Sequence, residues 1–143
     1  MQLPEIISAT SHQDKRGQLQ AFSGFNLHDI VRMYAIEPAD TQIIRAWQGH
    51  HKERKWFLPA AGSFEVQTIP VDDNAIPNMQ ARTTRVLNAN EPAVLAIPGG
   101  YLNGFRALEA NSRLLVFSDF ELGASKADDI RFTLEEISWI ERR

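Results

Sequence analysis

Four basic residues, two histidines and two tryptophans fall within twelve positions, Arg45-Ala-Trp47-Gln48-Gly-His50-His51-Lys-Glu-Arg-Lys55-Trp56. Arginine offers a rigid fork of donors to a phosphate, and a neutral imidazole accepts a proton near neutral pH. Cations beside a histidine pair could hold an anion and move a proton in one place. The same residue types also describe a solvated basic rim on a hairpin, and both readings stand at this level. A second group follows Ile97: Pro98-Gly99-Gly100-Tyr101-Leu102-Asn103-Gly104-Phe105. Adjacent glycines permit positive φ and close backbone approach, which serves a tight turn as well as a ligand-lined loop. Tyr101 and Asn103 could line a cavity with a hydroxyl and an amide. Ser63 and Ser118 lack a nucleophile elbow, and the chain has neither a phosphate-binding loop nor a dinucleotide fingerprint. His12 and His28 stand alone and read as surface or capping residues.

Such groups need a rigid frame, and the chain encodes one of short strands. Runs rich in β-branched and aromatic residues cover 30–36, 42–47, 55–58, 63–71, 83–87, 93–97, 104–108 and 113–117. Phe64, Val66 and Thr68 alternate with Glu65, Gln67 and Ile69, which fits a strand with one face buried. Turn signals stand at 59–62, 72–77, 88–92, 98–100 and 109–111, with a further turn expected at 14–17. About eight short strands at this spacing predict an antiparallel sandwich or barrel. Pro70 should end its strand or sit at an edge. The segment 133–143 opens on Thr-Leu-Glu-Glu, a capping-box pattern, yet Ile137, Trp139 and Ile140 suit an edge strand equally well.

Composition narrows the classes further. A length of 143 residues fits one domain spanning 1–143, and 43% hydrophobic with 23% charged residues is a soluble globular profile. The absence of cysteine removes disulfides, thiolate metal sites and thiol nucleophiles. A net charge of -3 gives no general attraction to nucleic acid or to an anionic membrane. No apolar run reaches the roughly 18 residues of a membrane span. The amino terminus lacks the basic-then-apolar plan of a signal peptide. A cytoplasmic protein with neither a nucleic-acid nor a membrane partner is the expectation.

Taken in chain order, the motifs resemble those of the cupin superfamily, small β-barrels of the jelly-roll type. Pro98-x-Gly100-x-x-Asn103 is similar to the second cupin motif, with Asn in place of its histidine. Gln48-x-His50 takes the His-x-His positions of the first. Within cupins the chain more closely resembles the dTDP-4-dehydrorhamnose 3,5-epimerases and the dTDP-4-keto-6-deoxyhexose 3,4-ketoisomerases. Asp14-Lys-Arg16-Gly17 looks like their Asp-x-Arg-Gly, and Arg45 with Gln48 and His50 looks like their Arg-Gly-x-His or Arg-Gly-x-His-x-His. Lys55 then Gly62 is similar to the Lys and Gly spacing that follows, and Ile97-Pro98 to Gly104-Phe105 resembles Ile-Pro-x-Gly-x-x-His-Gly-Phe. Ser118-Asp119-Phe120, residues 128–131 and Trp139 complete the ordered set.

The resemblance implies an all-β, mostly antiparallel, single-domain cupin jelly-roll barrel. It implies isomerisation or epimerisation of a nucleotide-diphosphate-linked keto-deoxy-sugar: a proton α to the carbonyl is taken, an enediolate forms, and the proton returns elsewhere. It implies no cofactor. Gln48 and Asn103 at two ligand positions argue against a transition metal. His50 is the first-choice base and His51 the reserve. Lys55 and Arg45 would hold the enolate oxygen or the diphosphate, Tyr101 would serve as acid or sugar contact, and Asn103 would bind a sugar hydroxyl. Trp47, Gln48 and Asp119 complete the substrate-binding set, and Arg16 would add a phosphate contact across a homodimer. Two departures support another class. The epimerase base falls at Gln48 and the tyrosine acid at Phe120, so a non-catalytic cupin that binds a sugar or nucleotide-sugar is the alternative.

Overall fold

Short strands with open edges are stable only when paired and when one face is covered, and the chain meets both needs with two sheets. A computed structural model describes residues 2–141. In chain order the elements are β1 (Glu5–Ser8), β2 (Thr10–Asp14), β3 (Gly17–Ala21), β4 (Arg32–Ile36), β5 (Arg45–His50) and β6 (Lys55–Ala61). They continue with β7 (Ser63–Pro70), β8 (Thr83–Asn88), β9 (Ala93–Ile97), β10 (Tyr101–Ala107), β11 (Arg113–Ser118), helix α1 (Leu122–Ala127) and β12 (Asp129–Arg131). One five-stranded sheet runs β1-β9-β6-β11-β4 and the other runs β12-β5-β10-β7-β8. The strands β2 and β3 pair only with each other. The pairings are antiparallel, as the strand pattern predicts. Among the described residues no helix is long and apolar enough to cross a membrane.

The inter-sheet core is built by the inward residues of six strands, including Phe57, Phe64, Val66, Leu95, Phe105, Leu114 and Val116, all buried. Phe57 and Phe64 meet the Phe105 ring edge-on, with centroids 5.7 and 6.1 Å apart. The outer face of the second sheet is covered as well. There Ile137, together with Trp139, packs on Trp47, Ile69, Leu102 and Ile130. As a result β7 is buried along its whole length, and the expected solvated face of Glu65, Gln67 and Ile69 does not exist. Gln67 Nε2 instead donates to the Ile140 carbonyl at 2.7 Å.

Several strand limits differ from the expectation for local reasons. The run expected at 42–47 begins at Arg45 and extends to His50, and the run expected at 104–108 begins at Tyr101. Strand β6 passes through the expected turn at Pro59 to Ala61. β9 pairs with β6 only as far as Phe57, so no partner on that side needs the N–H that Pro59 lacks. Pro70 does end its strand. Asp14 pairs with Gly17 across the expected hairpin turn. At 98–100 the two glycines have separate duties. A Cβ on Gly99 would lie 2.7 Å from the His51 carbonyl, and Gly100 takes a φ of +85°. The capping box at Thr133 forms in both directions, with Thr133 N donating to Glu136 Oε1 at 2.8 Å and Glu136 N donating to Thr133 Oγ1 at 3.1 Å. It starts a single turn and neither a helix nor a strand, because Trp47 Nε1 donates to the Ile137 carbonyl at 2.7 Å and draws the chain across the sheet. The last two residues of the segment 133–143 lie outside the described residues.

The inter-sheet core should dominate stability. Phe64→Ala is expected to cost about 3–5 kcal/mol, read from the urea midpoint at constant m-value. A cost below about 1 kcal/mol would mean that the Phe64 ring is not part of a close-packed core.

Candidate functional site

The inter-sheet core is not filled to its β4–β5 side, where a cavity of about 300 Å³ remains. Alternation along β4 turns Tyr34 and Ile36 toward it, while β6 supplies Lys55 and Phe57 and β10 supplies Asn103 and Phe105. The start of β5 contributes Arg45, Trp47 and Gln48, and β12 contributes Arg131. The wall thus carries three cationic side chains and no carboxylate. Gly104 lets the wall close: a Cβ there would lie 2.7 Å from Ala46 Cβ and about 3 Å from the Trp47 and Trp139 rings.

Lys55, only 5% exposed, donates from Nζ to Tyr34 Oη at 3.0 Å. The phenol accepts there, so its own proton remains free for donation into the cavity. Gln48 Nε2 donates to Asp129 Oδ1 at 3.1 Å, and the other oxygen of Asp129 pairs with Arg131 Nε. Trp47 is clamped from outside the cavity by Trp139, with centroids 5.6 Å apart, and by the Arg82 guanidinium over its ring. Among the described residues no group of three His, Cys, Asp or Glu side chains is placed to hold a metal ion. The amides Gln48 and Asn103 each offer an accepting oxygen and a donating NH2, suited to hydroxyls.

The structure brings together Arg45, Trp47, Gln48, Lys55 and Asn103, and it separates the other candidates. His50 is 3% exposed and lies behind Gln48 on the same strand. Its Nε2 is 3.3 Å from Ser125 Oγ, 3.4 Å from Glu53 Oε1 and 3.5 Å from Asp129 Oδ1. His51 is exposed in the turn after β5. Tyr101 faces a different cavity of about 570 Å³ with Leu3, Ile76 and Arg85, and its hydroxyl donates to the Gln2 carbonyl at 3.2 Å. Asp119 is occupied by Arg54, accepting from its backbone N and its Nε, each at 2.8 Å. Arg16 is exposed on the β2–β3 turn and paired with Asp14.

Tyr34 and Arg131 also line the cavity, and the sequence reading does not single them out. The alternation of Arg32, Tyr34 and Ile36 already contains the signal for Tyr34. Arg131 carries none, since it reaches the cavity through a three-residue edge strand.

Burial first, and then the positive charge of Lys55, push the His50 imidazole below its ordinary value of 6.5, against the pull of Glu53, Asp129 and Asp128. The folded chain therefore resists a proton that the unfolded chain accepts. Stability from this ring is complete above about pH 6.5 and is lost as pH falls toward the lower folded value. Between about pH 7 and about pH 5.5 the parent should lose more stability than His50→Gln, as followed by urea midpoints. Equal losses would show that the ring is not held neutral.

No protein-family profile and no curated protein sequence matches the chain. Solved structures do. The dTDP-4-dehydrorhamnose 3,5-epimerase from Bacillus anthracis, with TDP and PPi bound, superposes with a TM-score of 0.76 at 16% identity, covering 90% of this chain and 77% of that one. QdtA, a sugar 3,4-ketoisomerase from Thermoanaerobacterium thermosaccharolyticum in complex with TDP, gives 0.71 at 21% identity over 94% and 91% of the two chains. A 3'-monoepimerase from Streptomyces bikiniensis in complex with dTDP gives 0.76 at 12% identity over 96% and 74%. The two antiparallel sheets thus share the fold of these structures.

Proposed function

We propose that the inter-sheet cavity binds a nucleotide-diphosphate-linked keto-deoxy-sugar and isomerises it by moving a proton α to the carbonyl. The observation that carries this reading is the wall of Arg45, Lys55 and Arg131 without a carboxylate. A cavity of about 300 Å³ suits a sugar ring, and the two arginines at its mouth suit a diphosphate. A keto oxygen seated on Lys55 and Tyr34 would develop enediolate charge against an ammonium and a hydroxyl that are already in position. Tyr34 is the wall group placed to return the proton, while His50 stands behind Gln48, off the wall.

A second reading is a non-catalytic binder of the same ligand class. It is favoured by the burial of His50 and by Gln48, an amide without basic character, at the cavity wall. Incubation with TDP-4-keto-6-deoxyglucose in deuterated water separates the two. The isomerase incorporates deuterium next to the carbonyl, and Tyr34→Phe lowers that rate by about 10²–10⁴-fold with TDP affinity nearly kept. Arg45→Ala should weaken TDP binding about tenfold. TDP binding without exchange would establish the binder, and the absence of both would overturn each reading.

A homodimer belongs to the same reading. The β2–β3 hairpin pairs with neither sheet and β2 is exposed throughout, although a lone hairpin is marginal in water. A second copy would cover it and receive Arg16 beside its own cavity. Sedimentation is expected to give a dimer at micromolar concentration, and a monomer would remove Arg16 from the site.

A further inference from the structure

Behind the cavity wall one carboxylate is shut off from solvent. The Glu53 side chain has no exposed surface, and its backbone N is held by Asp128 Oδ2 at 2.9 Å. Its Oε2 accepts from Ser118 Oγ at 2.7 Å and from Arg32 Nη2 at 3.1 Å, and it lies 3.9 Å from Lys55 Nζ. Its Oε1 faces His50 Nε2 at 3.4 Å and has no hydrogen-bond partner among the described residues. Lys55 of the proposed site and His50 behind it therefore lean on opposite oxygens of one buried group.

We propose that Glu53 is the positioning residue of the cavity: one oxygen holds the Lys55 ammonium against Tyr34, and the other fixes the tautomer of His50. The inference rests on the reading of the cavity given above, in which Lys55 and Tyr34 meet the keto oxygen. A buried charge is kept only where it is paired, and removing one partner leaves the other uncompensated. Lys55 has Tyr34 and Glu53 within reach, and a phenol supplies no counter-charge. Around His50 Nε2 stand the carboxylates of Glu53 and Asp129 and the Ser125 hydroxyl, with Asp128 and the Lys55 charge further out. The Ser125 hydroxyl can donate or accept, but two carboxylates within 3.5 Å repel a lone pair on Nε2, so the neutral ring carries its hydrogen on Nε2 and its lone pair on Nδ1. The basic atom of His50 is thus chosen by Glu53 and Asp129, and Glu53 alone links that choice to Lys55.

Nitrogen NMR of the His50 ring and of the Lys55 ammonium, in the parent and in Glu53→Gln, tests this. The parent is expected to carry the His50 hydrogen on Nε2. In Glu53→Gln the amide can offer its own N–H to Nε2 and removes the counter-charge, so the ring hydrogen should move toward Nδ1 and the Lys55 nitrogen signal should shift. TDP affinity, set by Arg45 and Arg131, should stay within several-fold. Deuterium exchange into the keto-sugar nucleotide should drop about 10²-fold in kcat with little change in KM. A parent ring protonated on Nδ1 would overturn the proposal, as would a variant whose His50 and Lys55 signals match the parent. Should Glu53→Gln fail to fold, the parent tautomer alone decides. The magnetic readouts need no turnover, so a parent without exchange refutes the isomerase and still leaves Glu53 to be judged by them.

Discussion

A lysine ammonium buried between two apolar sheets must be compensated, and the polar interior of this protein is arranged around that requirement. Lys55 begins β6, where pairing with β9 and β11 on both sides denies it a route to solvent. Its charge is met by the Tyr34 hydroxyl across the cavity and by the Glu53 carboxylate behind it. Glu53 in turn draws in Arg32 and Ser118, and it sets a second carboxylate contact on His50 beside that of Asp129. Removing any one member would leave another buried and unpaired, which is more damaging than never burying the set. Lys55 keeps its place in the cavity wall because Glu53 meets its charge from behind.

The aromatic half of the inter-sheet space has the opposite character. Phe57, Phe64 and Phe105 interlock there without polar atoms, and the change from one half to the other occurs within single strands. On β10 the bulge at Gly104 separates Asn103, which faces the cavity, from Phe105, whose ring reaches both cavity and core. The same glycine admits Trp139 against Trp47, so the segment following β12 shapes the cavity from the far side of the sheet. Its backbone carbonyls accept from Trp47, Gln67 and Arg82. Those three bonds replace the solvent that the outer face of β7 would otherwise meet.

The division of the candidate residues follows from strand direction. Arg45, Lys55 and Asn103 share one cavity because the starts of β5 and β6 and the middle of β10 converge there. Two residues before Asn103, Tyr101 shares its face of β10, yet lies at the strand end where a separate groove opens toward the amino terminus. His50 shares a face with Gln48, but β5 has by then passed beneath α1 and its ring meets Ser125.

An antiparallel sheet protein, most of the strand positions, the turn at 14–17, the end of β7 at Pro70 and the gathering of cations near β5 are all legible in the amino-acid order. These follow from interactions a few residues long: alternation, the missing N–H of proline, the φ freedom of glycine. Which faces are covered and which polar groups meet depends instead on long-range packing. Glu65 and Gln67 read as solvated because nothing local announces that residues 132–141 will lie over them. The capping box at Thr133 formed as its four residues dictate, yet long-range bonds to Trp47, Gln67 and Arg82 took the chain before a helix could continue. Tyr34 and Lys55 lie 21 positions apart in the chain and 3.0 Å apart in space, and a contact of that kind is set by sheet pairing and burial, which no local pattern encodes.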